Sequence, residues 1–197
     1  MLRCLFALVL WAACAFGQST PEPTRIGQHH IGETLDEWYA ARHKSKPTAT
    51  CTVKNGKKWE KVPCEADPNR TLRTSENKRD YTWSFARGKL WHVEIMADVA
   101  ALHRPGGGYD PLNFAEEIVF LTETYGTPSK VAKVPYHNGY GAQWEASIVF
   151  WNRPDGTLIT ASEGYEFDQQ GTLLAVDFSS KDRQTEQSQQ NKPNPYQ

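Results

Sequence analysis

Cysteine, charge of one sign and long apolar runs are all scarce in this chain of 197 residues, and each scarcity excludes something. The four cysteines, Cys4, Cys14, Cys51 and Cys64, include no Cys-x-x-Cys pair, which argues against a redox dithiol or a zinc knuckle. Lysine plus arginine number 22 against 23 for aspartate plus glutamate, so the net charge is −1; no basic stripe is visible and nucleic acid is not an expected partner. No apolar run reaches the roughly 20 residues that a membrane-spanning helix needs. The Gly-x-Ser-x-Gly elbow, the P-loop and the dinucleotide fingerprint are missing as well. No catalytic residue, metal or cofactor is therefore assigned, and the protein is not expected to be an enzyme.

What is present begins with a leader. Arg3, the apolar run from Leu5 to Ala13 and the small residues of Ala15-Phe16-Gly17 read as a signal peptide over residues 1–17, cleaved near Gln18. The mature protein is then expected to be secreted or periplasmic. A lipoprotein anchored through Cys14 is the weaker alternative, because Trp11 stands where such signals carry an aliphatic residue. Two cysteines remain, Cys51 and Cys64, and in an oxidising compartment they are expected to form one disulfide. Closing that loop of about 14 residues contributes on the order of 3 kcal/mol in the chain-entropy picture. Residues 18–30, polar with Pro21 and Pro23, read as a flexible leader.

Two helix signals divide the rest. Thr34-Leu35-Asp36-Glu37 fits a capping box and predicts a helix from Leu35 to about His43, burying Leu35, Trp38 and Tyr39. The clearer signal is Tyr109 to Pro128. Asp110 suits the N-cap and Pro111 the first helical position; Phe114, Ile118, Leu121 and Tyr125 form one stripe, and Gly126 and Pro128 end it.

The strands follow from alternation and turn chemistry. Asn55-Gly56 predicts a hairpin, residues 65–80 read as a loop, and Tyr81 to Met96 reads as a second hairpin. A two-residue Arg87-Gly88 turn would mix polar and apolar groups on one face there. A three-residue Ala86-Arg87-Gly88 loop, pairing Trp83 with Trp91 and Tyr81 with Val93, is therefore preferred. Further on, Trp144, Ala146, Ile148 and Phe150 alternate along a strand, Pro154-Asp155-Gly156 turns it back, a returning strand runs from Thr157 to Phe167, and Leu174, Val176 and Phe178 line a last one. Residues 181–197, with almost no apolar side chain, read as a disordered tail.

The expected fold is thus α+β, with two helices on antiparallel β-meanders, in two units covering residues 31–97 and 109–180. Gly88-Lys-Leu90-Trp-His-Val93-Glu-Ile95 and Gly171-Thr-Leu173-Leu-Ala-Val176-Asp-Phe178 share one pattern, which suggests a tandem repeat. This helix-then-meander order, with phrases such as Tyr125-Gly126-Thr127-Pro128, resembles the beta-lactamase-inhibitor-protein and BamE-like families of secreted and envelope proteins. That resemblance implies action by binding other proteins and carries over no functional residue.

The remaining candidates are histidines, carboxylates and aromatics. His29 and His30 point apart in extended chain and read as surface residues. His92, Glu94 and His103 could in principle hold zinc, and Glu163 with Glu166 is the nearest carboxylate pair, but solvated strand residues are the commoner meaning of both. Tryptophan and tyrosine stand on nearly every strand, and they are what binding hot spots are made from. Tyr136, His137, Tyr140 and Trp144, around an aromatic, glycine-bearing loop, are the expected binding residues. The expected role is a non-catalytic protein-binding or inhibitory module with another protein as partner; the alternative is a small secreted hydrolase or a carbohydrate-binding protein, with a glycan or peptide ligand.

Overall fold

Thr34 starts the first helix as its capping box requires. The Thr34 Oγ1 accepts from the Glu37 N–H at 3.3 Å, and the Thr34 N–H donates to Glu37 Oε2 at 2.6 Å. The structure, a computed structural model, describes residues 20–44, 50–55, 58–63, 69–77, 79–97, 112–164 and 171–190. In chain order these form β1 (Arg25–Ile26), β2 (His29–His30), α1 (Leu35–Ala41), β3 (Thr50–Asn55), β4 (Lys58–Pro63), β5 (Arg70–Glu76), β6 (Arg79–Ala86), β7 (Lys89–Ala97), α2 (Phe114–Tyr125), β8 (Lys130–His137), β9 (Gln143–Asn152), β10 (Leu158–Glu163), β11 (Leu173–Ser179) and α3 (Lys181–Gln190). The class is α+β, as expected.

Seven strands build one antiparallel sheet in the order β5-β6-β7-β11-β10-β9-β8, while β1 with β2 and β3 with β4 form small two-stranded sheets. Two meanders therefore meet at the β7–β11 seam, where Val93 faces Phe178, Glu94 faces Asp177 and Ile95 faces Val176. One row across the sheet runs Leu72, Trp83, Val93, Phe178, Ile159, Trp151. The next runs Tyr81, Ile95, Val176, Ala161, Val149. These rows join Leu35 and Trp38 of α1 and Phe114 and Leu121 of α2 in the core. Each such large apolar side chain contributes about 1.5–3 kcal/mol by leaving water.

The two halves repeat their joints. In each, the residue before a helix N-cap accepts from a strand leucine: the Leu90 N–H donates to Glu33 O, and the Leu173 N–H to Leu112 O, both at 2.7 Å. Each seam strand also carries a bulge at the third residue after its glycine. The pairings Ser84 with His92 and Phe85 with Leu90 skip Trp91; the pairings Ser162 with Ala175 and Glu163 with Leu173 skip Leu174.

Several expectations need correction. The β6–β7 turn is the two-residue Arg87-Gly88 one, with φ of 52° and 78°. The bulge at Trp91 shifts the register beyond it, so Trp83 pairs with Val93 and Tyr81 with Ile95, and apolar partners meet without a longer loop. Residues 70–76 and 79–80 are not loop. They are strand β5 and the start of β6, with Arg70, Leu72 and Thr74 turned inward in a polar edge strand whose pattern is weak. Residues 130–137, left without a strand in the sequence reading, form the opposite edge strand, where Pro135 loses no ladder bond.

Helix α2 is capped by Asn113, whose Oδ1 accepts from the Glu116 N–H at 3.2 Å, so the start moves three residues on; Asp110 and Pro111 lie outside the described residues. Residues 25–30 are a hairpin, with Ile26 and His29 buried, rather than a flexible leader. Residues 181–190 are helix, not tail. Although wholly polar, α3 is held by the Gln184 side chain donating to Gly156 O and Ser179 O and by an Arg87–Glu186 ion pair. The Asn55–Lys58 pairing places the first hairpin as expected. The backbone of Cys51 pairs with Val62, but Cys64 lies outside the described residues, and the disulfide with it.

Candidate functional site

The hairpin of β8 and β9 carries all four residues expected to bind. Tyr136 pairs with Trp144 on one face, and their rings stack at 6.2 Å and 21°. His137 pairs with Gln143 on the other face, so it is not part of that cluster. Tyr140 stands at the tip, 99% exposed. The turn beneath it is tightly bonded: Asn138 Oδ1 accepts from the Tyr140 N–H at 3.0 Å and from the Ala142 N–H at 2.9 Å. The Asn138 N–H donates to Ala142 O and the Gly141 N–H to Asn138 O. The hairpin thus presents Tyr140 on a turn with a fixed backbone, with the stacked Tyr136–Trp144 pair four residues away on either strand.

A second feature was not expected. A cavity of about 670 Å³ lies between the β1–β2 hairpin, α2 and strands β6 and β7. Ile26, Ile95, Leu121 and Phe178 give it an apolar lining, while Tyr81, Trp83, Phe120 and Tyr125 supply aromatic rings. Its charged residues are paired. Arg79 donates through both terminal nitrogens to the two oxygens of Glu117, at 2.9 and 2.6 Å, and Arg42 pairs with Glu76 while lying 5.1 Å over the Trp38 ring. The Tyr125 hydroxyl donates to Arg25 O at 2.7 Å, and burial pushes its pKa up to about 12 against the pull of Arg153. Burial likewise raises that of Tyr81.

His29 is buried beside this cavity, against the expectation of a surface histidine. Its ring stacks on Trp38 at 5.3 Å and meets Trp83 edge-on at 4.7 Å. Nδ1 lies 2.9 Å from Glu33 Oε1, with the two side chains only 3% and 2% exposed, but off the line that a hydrogen bond needs. Neither ring nitrogen of His29, nor Arg42 Nε, has a hydrogen-bond partner among the described residues. The one sequence signal for this site was the pair of apolar residues, Ile26 and Ile31, bracketing His29 in a segment that otherwise looks polar.

The other candidates are spent on structure. His92 Nε2 lies 2.9 Å from Asp177 Oδ1, while His103 is outside the described residues. Glu163 accepts from the Ser147 N–H at 2.9 Å and the Gly171 N–H at 2.8 Å; Glu166 is likewise outside. Among the described residues, no three His, Cys, Asp or Glu side chains are grouped to hold a metal ion, and no helix is long and apolar enough to cross a membrane.

No family model matches the chain, and the comparison with characterised proteins gives no match. Among solved structures, a cysteine-rich secretory protein from Staphylococcus aureus subsp. aureus Mu50 is similar at 13% identity and a TM-score of 0.37, over 83% of this chain. The match covers 47% of that protein, about half its length, and a likeness at this level carries no argument.

Proposed function

We propose that this protein is a secreted or periplasmic, non-catalytic module that binds or inhibits another protein through the β8–β9 hairpin, with Tyr140 as its anchor. The observation that carries the reading is a wholly exposed tyrosine on a turn whose backbone is already fixed by four hydrogen bonds. A loop held in place before binding loses little conformational freedom on contact, and a tyrosine offers large amphipathic area for few rotatable bonds. The helix-then-meander order supports the same reading by its resemblance to inhibitor families. The repeated helix-to-strand joints and the matched bulges support the view that the halves are tandem copies of one unit, tied in the first half by a Cys51–Cys64 disulfide.

The test is capture from the medium and cell envelope of the producing organism with immobilised mature protein, run beside a Tyr140→Ala variant shown to be folded. One stoichiometric protein retained by the native chain and lost by the variant supports the reading. Equal recovery by both chains contradicts it. A second reading, a carbohydrate-binding protein or small hydrolase, is favoured by the cavity, where ionisable groups lie among aromatic rings.

A further inference from the structure

We infer that the cavity between the β1–β2 hairpin, α2 and strands β6 and β7 binds an uncharged small molecule with a flat aromatic body. Its volume of about 670 Å³ falls within the roughly 300–1,000 Å³ typical of small-molecule sites. Ile26, Ile95, Leu121 and Phe178 give it apolar surface, and the rings of Tyr81 and Tyr125 stand among them, which favours an aromatic body over an aliphatic one. One further ring is left in water. Phe120 belongs to the same lining and is 54% exposed, so a ligand in the cavity covers it and gains in proportion to the apolar area removed from solvent.

The charge of the ligand follows from the charges of the lining, which already answer one another. Arg25 lies 3.5 Å from Glu22, Arg42 pairs with Glu76, and Arg79 pairs with Glu117 at 2.6 Å. The His29 ring nitrogens are buried, with a Glu33 carboxylate oxygen 2.9 Å from Nδ1, so that ring offers the cavity no donor. The Tyr125 hydroxyl is engaged by Arg25 O. A carboxylate or an ammonium group in the cavity would have to break one of these pairs or stand uncompensated among apolar side chains, and both are costly. Water is also poorly held where polar groups bond one another, and its displacement by an apolar group favours binding. The lining shares no residue with the β8–β9 hairpin, so the inference does not depend on the protein-binding reading.

The test is equilibrium dialysis of the full-length mature protein at pH 7 against three probes that share one ring system: uncharged 2-naphthamide, anionic 2-naphthoate and cationic 2-naphthylmethylammonium, each followed by its own absorbance. Saturable binding of one naphthamide, at least tenfold tighter than either ion, is expected. Two variants test the place. Phe120→Ala removes the exposed ring of the lining, and Thr124→Trp sets an indole on the same exposed flank of α2; both positions face solvent, so thermal melts should show both variants folded. Naphthamide affinity is expected to fall at least threefold in the first and at least tenfold in the second. Absence of saturable naphthamide binding overturns the inference, as does an ion that binds as tightly as the amide, or naphthamide binding that neither folded variant weakens.

Discussion

The Arg79–Glu117 pair joins the start of β6 to the helix of the second half, and its two members should not be equivalent. Both guanidinium nitrogens are committed to both carboxylate oxygens, with the arginine side chain 23% exposed and the glutamate 6%. Arg79→Met leaves an uncompensated carboxylate in a nearly dry site; breaking a buried pair costs about 3–5 kcal/mol, reduced here to about 2–4 by the partial exposure of the arginine. Glu117→Leu leaves instead a long cationic side chain that can turn its head to water, at a cost of about 1–2 kcal/mol. Replacing both, among Tyr81, Phe120 and Leu121, should cost no more than about 1 kcal/mol, because apolar groups of similar volume can substitute for an ion pair. Urea unfolding of the two single variants and the double variant, followed by tryptophan fluorescence, measures all three. Costs that simply add, or a Glu117→Leu variant less stable than Arg79→Met, would refute the reasoning.

Asp155 ties the N-terminal segment to the β9–β10 turn by accepting from the Thr24 N–H at 2.5 Å, Thr24 Oγ1 at 3.1 Å and the Thr157 N–H at 2.9 Å. Burial alone would raise its pKa, but these hydrogen bonds outweigh it and hold the carboxyl below its usual range. Asp155→Ala should cost about 1–3 kcal/mol at neutral pH. Because the folded pKa is the lower one, that difference is fully present above the unfolded value near 3.9 and shrinks as pH falls through the folded value, which thermal melts from pH 7 to pH 2 would record. Gly126 closes α2 at φ 86° and ψ −173°, a region that only glycine occupies freely, so Gly126→Ala should destabilise by about 1–3 kcal/mol in the same unfolding assay. Peptide mapping of the mature protein without reductant should recover the Cys51 and Cys64 peptides linked; two free thiols would exclude the bridge.

Elements with strong local signals were legible in the sequence. The Thr34 capping box, the stripe on α2 and the Asn-Gly hairpin are set by neighbouring residues, and each lies where the sequence puts it, apart from the Asn113 cap. The errors lie where distant residues decide. The bulge at Trp91 stands next to Leu90, whose N–H donates to Glu33 O, a contact between β7 and the residue before the α1 N-cap that no hairpin rule contains. Helix α3 and strand β5 look polar and unstructured because their partners are charges and carbonyls elsewhere in the chain, such as Arg87 for Glu186 of α3. The alternation along β9 puts Trp144, Ala146, Ile148 and Phe150 on one face of a half-buried strand. Yet the core takes Val149 and Trp151 from the other face, because α2 covers that side, where Trp151 Nε1 donates to Gly126 O at 2.8 Å. Of the candidate site, the aromatic hairpin was visible from its composition. The cavity was not, because Arg42, Glu76, Arg79 and Glu117 come together only once the sheet and both helices are assembled.

The most direct test of the central claim is the affinity of the captured partner for the native chain and for Tyr140→Ala, measured by titration calorimetry at equal salt. If Tyr140 is the anchor, truncation removes about 2 kcal/mol or more, a weakening of about thirtyfold, with the thermal stability of the module unchanged. Equal affinities for the two chains would contradict the account and move recognition away from the hairpin.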